Sequence, residues 1–525
     1  MLNLNQEKYL HKLYNEINSK ENVKSSDMYS LFICLSSNNL NIVNDASIKI
    51  NNKIKQSNKS TFLNKVSKLF TERTFSTVYW YDSWTKLPLN RFTHAANTED
   101  ELINILGLCT FVCNGYFRER ALKELIKIKS VKALPYILIA TNDYVEVVRN
   151  RAKKALFRML SPENFTSIIK IYSLIEMSKH WKHSIYDEIE SQLDIVVNYF
   201  DKDRIVDSIK YADGNGKVFC YNMLAGKKYF SNIEVCNMLL AEKEIKAKNK
   251  GLYLLINNLS SAELFDYKDK LLTVKNPNIR AKTIDRLYTD GFINNQSDLE
   301  FTLMDAYSKV RFTGVYYLCK INDFDFSSYY RNILKEEPNN IIAIHGLCEQ
   351  GNDSDYEIIK CYLNDTRVSV IKKVLDFIAR KESSGFIDTL TKCLNDSRIG
   401  VSNKARRLLF EHRMDINADV VYQTYLNSEC LHVKHNCMIL LCNLQKWNTI
   451  CYIIEFCSHK DYDISHFARF SYEKWYYKFN KSFVSPTEKQ TRRIKKYISK
   501  YINSIKNNDE YLNEMKKHIS FLLKP

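Results

Sequence analysis

Apolar residues recur along this chain in threes, each four positions after the last. Val148, Ala152 and Leu156 form one such triplet, and Val310, Gly314 and Leu318 another. Leu363-Asn-Asp-Thr-Arg-Val-Ser-Val370 and Leu394-Asn-Asp-Ser-Arg-Ile-Gly-Val401 begin two more, 31 residues apart. Triplets also start at Phe117, Trp181, Val218, Ala247, Ile279, Ile342, Val433 and Ile464, which makes twelve starts at steps of 28 to 37 residues. Positions 0, +4 and +8 fall within about 80° of each other on one face of an α-helix. Other apolar runs at helical spacing precede these triplets, as Phe386, Leu390 and Cys393 precede Asn395-Asp396. Each unit therefore predicts a helix, a short polar turn and a second helix.

One such pair cannot bury its own apolar faces, whereas stacked pairs can. The expected fold is all-α, a right-handed α-solenoid of about twelve helix pairs with helical caps at both ends. Composition agrees. The 525 residues include only 12 Gly and 7 Pro, against roughly 37 and 26 at average usage. Turn-rich β architectures and glycine-lined cofactor folds both lose ground. No stretch approaches 18 uninterrupted apolar residues, so no transmembrane helix is expected. The N-terminus lacks an apolar core after a basic start, and the 14 cysteines are scattered, several in apolar helical runs (Cys109, Cys113, Cys319, Cys442). Reduced thiols and a cytoplasmic location are the expectation.

The turn that opens the second helix resembles that of HEAT repeats. In that family the second helix opens on Asp, followed five residues later by Val-Arg. Here Asp143 precedes Val148-Arg149, and Asp305 precedes Val310-Arg311. Asp365 before Val370-Ile371 and Asp396 before Val401-Ser402 keep the aspartate and lose the arginine; Ile279-Arg280 keeps only the arginine. The resemblance covers roughly residues 98 to 475. It implies that Arg149 and Arg311 bond the turn aspartate of a neighbouring unit, and it says little about activity.

Three segments are expected: an N-terminal helical cap with an aromatic loop (1–97), the HEAT-like array (98–480) and basic C-terminal capping helices (481–525). The loop at 74–92 holds six aromatics, including Trp80 and Trp84. It reads either as a cover on the first repeat or as an exposed recognition segment. Ser485-Pro486-Thr487-Glu488 reads as a helix start with Ser485 as cap. The helix that follows carries Ile494, Tyr497, Ile498, Tyr501, Ile502 and Ile505 on one stripe, and Arg492, Arg493 and Lys496 among the basic residues of its other side.

The formal charge is +17, and alignment of the second helices assigns part of it to columns. The +1 column holds Arg118, Arg149, Lys182, Lys248, Arg280, Arg311 and Lys434; the +3 column holds Arg120, Arg151, Lys250, Lys282, Lys373 and Lys404. The +3 cations could follow a phosphate backbone. The +2 and +6 columns, which point outward, hold Leu224, Tyr253, Phe312, Tyr316, Ile344 and Cys348. That many apolar groups on an outward face predicts a protein-binding, concave surface.

Motifs for chemistry are missing: there is no phosphate loop, Gly-x-Gly-x-x-Gly, His-Glu-x-x-His or Gly-x-Ser-x-Gly. Cys430, His432, His435 and Cys437 lie close in sequence, but their spacing is wrong for zinc and Cys437 falls on a core position. Some HEAT-like solenoids are DNA glycosylases; Trp181 with Asp187 or Glu188 is the nearest approach to such a site, and a poor one. No cofactor, metal, membrane or small-molecule substrate is expected. The leading expectation is a non-catalytic adaptor in a larger cytoplasmic assembly, binding a partner protein, possibly acidic, through Leu224, Tyr253, Phe312, Tyr316 and Ile344. The alternative is a nucleic-acid binder using Arg120, Arg151, Lys250, Lys282, Lys373, Lys404, Arg492, Arg493 and Lys496.

Overall fold

The computed structural model describes residues 4–20, 22–57, 59–72, 81–382, 385–413, 415–479, 484–502 and 509–523. Among them every regular element is a helix and none is a strand. No described helix is long and apolar enough to cross a membrane. The chain forms two compact units, Met1–Phe292 and Ile293–Pro525.

In the first unit, helices Leu4–Asn18, Met28–Cys34, Leu40–Gln56 and Lys59–Glu72 precede the repeats. They share one core with them, continuous from Leu10 through Phe32, Trp84 and Phe117 to Leu193. Trp84 is fully buried, stacked near Phe92 and edge-on to Phe117 at 4.9 Å. This end of the aromatic segment thus covers the first repeat; Trp80 lies outside the described residues. Helix pairs follow, such as Glu99–Cys109 with Gly115–Lys127, Leu134–Ala140 with Glu146–Met159 and Ser261–Leu272 with Pro277–Thr289.

The second unit stacks six pairs. Their second helices are Ser308–Ile321, Ile341–Gln350, Val368–Lys381, Ile399–Glu411, Leu431–Leu441 and Tyr462–Tyr477, closed off by Glu488–Tyr501 and Glu510–Leu522. The second helices from Ile341–Gln350 to Leu431–Leu441 pack on one another in order. Triplets Val370/Val374/Ile378, Val401/Ala405/Leu409 and Val433/Cys437/Leu441 are all buried, as the periodicity predicts. The closing helix starts two residues later than expected: Thr487, not Ser485, caps it, in a reciprocal capping box with Gln490. Ile494, Ile498 and Ile502 are its buried stripe; Ile505 is outside the described residues.

Three rows of the expected register shift. Trp181 sits in a turn, and the next core triplet is Ile189, Leu193 and Val197 on the helix Tyr186–Val197. In the row read from Val218, Asn222 and Gly226 are exposed, and Gly216, Cys220 and Leu224 take the three core places. Gly216 serves there because a Cβ would run into the Ile169 carbonyl oxygen. In the row read from Ile342, the core positions are Ala343 and Leu347. The Asn340 side chain accepts from the Ile342 and Ala343 amides, which sets where that helix begins.

Candidate functional site

The +1 arginines act inside the fold. Nη1 of Arg118, Arg149, Arg280 and Arg311 donates to the carbonyl six residues earlier, that of Val112, Asp143, Val274 and Asp305 respectively, at 2.6–2.8 Å. These carbonyls lie just past the end of the first helix of each unit, where intrahelical partners run out and a cation is favourable. Arg118 also bridges to the next unit, holding Asp143 through Nε and Nη2 at 2.6 and 2.8 Å. Lys217 repeats this link with Glu242 at 3.0 Å. The implied aspartate ladder is thus corrected for Arg149 and Arg311: both cap their own turn, and the acid Arg311 binds is Glu349.

The +3 column is engaged as well. Arg151 pairs with Glu119 at 3.1 Å, Lys250 with Glu176 at 2.6 Å, Lys373 with Glu349 at 2.6 Å, and Lys404 with Asp376. Arg120 donates to the Trp84 and Leu87 carbonyls, and the Lys282 ammonium lies 4.3 Å from the Tyr253 ring centre. On the closing helix, Arg493 donates to the Tyr452 hydroxyl at 2.9 Å and Arg492 approaches Glu488, its own helix neighbour, at 3.5 Å; Lys496 is exposed.

Of the outward apolar residues, Tyr253, Phe312 and Tyr316 stay exposed, the last two by 47% and 56%. Leu224 (0%) and Ile344 (1%) are buried, and so is Cys348, which corrects the expectation that they face outward. The register shifts explain it. Leu224 is the +8 core residue of its helix, and Ile344 occupies the same +1 place that Arg311 fills one repeat earlier.

Sequence reasoning missed a column. Positions −2, +2 and +6 share one helix stripe, and only the last two were examined. At −2 the second unit places Ile341, Val368, Ile399, Leu431 and Tyr462 in five successive second helices. Leu431 and Tyr462 are 83% and 75% exposed, Ile399 and Ile341 are exposed too, and Val368 is partly buried. Along one edge of this unit runs a row of apolar side chains in phase with the repeat. Lys372 and Arg407, at +2 and +6, lie on the same stripe and form no ion pair among the described residues.

At the +2 and +6 positions of the helix Ile341–Gln350 this stripe carries a buried charge cluster instead. Glu349 receives Arg311 at 2.7 Å, Lys373 at 2.6 Å and the Ser308 hydroxyl at 2.6 Å. Burial works to raise its carboxyl pKa, but these donors outweigh burial and hold it below the usual range. His345, at +2, has its pKa pushed down to about 4 by burial and by the neighbouring Arg311 and Lys373 charges. Its Nε2 has no hydrogen-bond partner among the described residues. Neutral His345 and ionised Glu349 are the forms this surrounding favours.

The Cys and His residues near 430–437 do not converge. Cys437 is in the core, and His432 Nε2 lies 3.1 Å from the Asp396 carbonyl oxygen. Among the described residues no three His, Cys, Asp or Glu side chains form a metal site. Glu188, considered with Trp181, pairs instead with Lys153.

No family model matches the chain, and no curated protein matches it. Among solved structures it aligns with Kap121p bound to Nup53p at 13% identity and a TM-score of 0.29, over 100% of this chain and 57% of that one. It aligns with importin beta in an ammonium sulfate condition at 10% identity and a TM-score of 0.38, over 99% of this chain and 79% of that one. The chain thus spans little more than half the length of Kap121p. Paired helices, turn-capping arginines and in-phase core triplets make each unit an all-α stack of HEAT-like helix pairs.

Proposed function

We propose that this chain is a non-catalytic scaffold that binds a partner protein along the second-helix face of its Ile293–Pro525 unit, as a subunit of a larger cytoplasmic assembly. The observation that carries the reading is the apolar row Ile341, Val368, Ile399, Leu431 and Tyr462, continued on the same stripe by Phe312 and Tyr316. Exposed aromatic and aliphatic groups repeated in phase give a partner many small anchors at low ordering cost, because the helices are already fixed. Lys372 and Arg407 between the anchors favour acidic groups on that partner. A grip on nucleic-acid phosphates would need free cations in the +3 column, and those six side chains are engaged within the chain.

The test replaces Phe312, Tyr316, Ile399 and Leu431 with serine in the full chain. Affinity purification after nuclease treatment should lose a defined protein partner, while the melting temperature stays within a degree or two because the residues are exposed. An unaltered set of co-purifying proteins rejects this face as the binding surface.

A further inference from the structure

A second candidate site lies in the Met1–Phe292 unit and shares no residue with the face just described. Three successive turns between paired helices, Thr110–Cys113, Asn142–Tyr144 and Trp181–His183, meet the helix Lys59–Glu72 around a half-open trough of about 400 Å³. Each turn contributes one aromatic ring: Phe111, Tyr144 and Trp181. The Tyr144 ring is held in place before any ligand arrives. Its hydroxyl donates to the Cys113 carbonyl at 2.9 Å, and the Arg118 guanidinium packs 4.6 Å from its centre. The repeat breaks beside the trough. The third turn ends in Trp181-Lys182-His183, where the second helix of a regular unit would run, and the His183 amide donates to Asn142 Oδ1 at 3.0 Å.

The charges are equally specific. Arg118 and Asp143 cancel in their two-pronged pair, with the remaining arginine donors spent on the Val112 and Cys113 carbonyls. Lys68, on the helix Lys59–Glu72, and Lys182, on the third turn, are exposed and have no ion pair among the described residues. An aromatic lining with an unopposed ammonium group on each of two elements complements a large apolar group carrying more than one negative charge.

We infer that this trough binds a peptide segment in which an aromatic side chain is flanked by carboxylates. The aromatic residue lies against Tyr144 and Trp181, and the acids reach Lys68 and Lys182. The open side, running across three turns, suits a continuous chain more than an enclosed small molecule.

Fluorescence anisotropy with the full-length protein and a fluorescein-labelled Asp-Glu-Phe-Glu-Asp peptide tests this. Saturable binding is expected, falling about tenfold or more in Lys68→Glu/Lys182→Glu, in Trp181→Ala and with the uncharged Asn-Gln-Phe-Gln-Asn peptide. The two lysines are exposed, so the double variant should melt like the parent chain. Phe312→Ser/Tyr316→Ser should bind the peptide unchanged. Absence of saturable binding overturns the inference, as does equal affinity in the charge-reversed variant or loss in Phe312→Ser/Tyr316→Ser. Displacement by 3-phenylpropionate at the peptide's own concentration would also overturn it, in favour of a small-acid site.

Discussion

One residue past the first core position, an arginine reaches back to a carbonyl left over at the end of the preceding helix. Four repeats use the same reach, from Arg118, Arg149, Arg280 and Arg311. Arg118 and Arg311 combine it with a nearly dry acid, since the Asp143 and Glu349 side chains are 7% and 6% exposed. The cluster around Glu349 makes a pH prediction with a definite sign. A carboxylate held below its unfolded value of about 4.3 contributes stability above that value and loses it as pH falls through the folded one. His345, pushed down to about 4, behaves as a group kept neutral by the fold. Its contribution is full above the unfolded value of about 6.5 and declines as pH falls from there. The melting temperature should therefore begin to drop between pH 6.5 and 4, before Glu349 is protonated. Scanning calorimetry of His345→Gln across that range should show a shallower decline than the parent chain; parallel curves would remove His345 as the cause.

At the scale of the helix, phase is set by caps and by close approach. Gly314 is the +4 residue of Ser308–Ile321, where a Cβ would collide with Thr302 Oγ1 and Cβ on the paired helix. Thr302 is fully buried and bonded to the Leu299 carbonyl, so it cannot turn away freely. Gly314→Val should cost about 1–3 kcal/mol through overpacking, read as a lower urea midpoint; an unchanged midpoint would mean the two helices separate without loss. The same physics limited what the sequence disclosed. Wherever valine, alanine or leucine fill the core places, as from Val370 to Val433, the period alone locates the second helices. It fails at Gly216, where packing needs the absence of a side chain. It also fails in Ile341-Ile342-Ala343-Ile344, where four apolar residues fit any phase and the Asn340 cap decides. The −2 row was present in the sequence, but an apolar residue just ahead of a core valine reads as part of the core.

Across the molecule, the basic columns change meaning once their acids are located. Arg151 finds Glu119 at a separation of 32 residues, Lys373 finds Glu349 at 24 and Lys250 finds Glu176 at 74. No constant offset links them, so a column of cations was visible in the sequence and its counter-charges were not. Reversing Lys373 to glutamate should strip a nearly buried acid of one of its two cations, within the ~3–5 kcal/mol range for a broken buried pair. Lys404→Glu faces the half-exposed Asp376 and should cost no more than ~1 kcal/mol. Thermal melts should separate the two variants in that order, and gel shifts with DNA or RNA should not distinguish either from the parent; a selective loss of nucleic-acid binding would restore the phosphate reading.

The pairs that cross from one repeat to the next also bear on how such an array can be cut or recombined. Severed between Glu349 and Lys373, one fragment keeps an acid with half of its counter-charge and the other keeps a lysine with nothing to hold. Repeats exchanged between positions would carry the same mismatch with them. The array is therefore less like a string of identical beads than like a zip whose teeth are cut in individual pairs, and its order along the chain is written into side chains that the repeat pattern itself leaves unspecified.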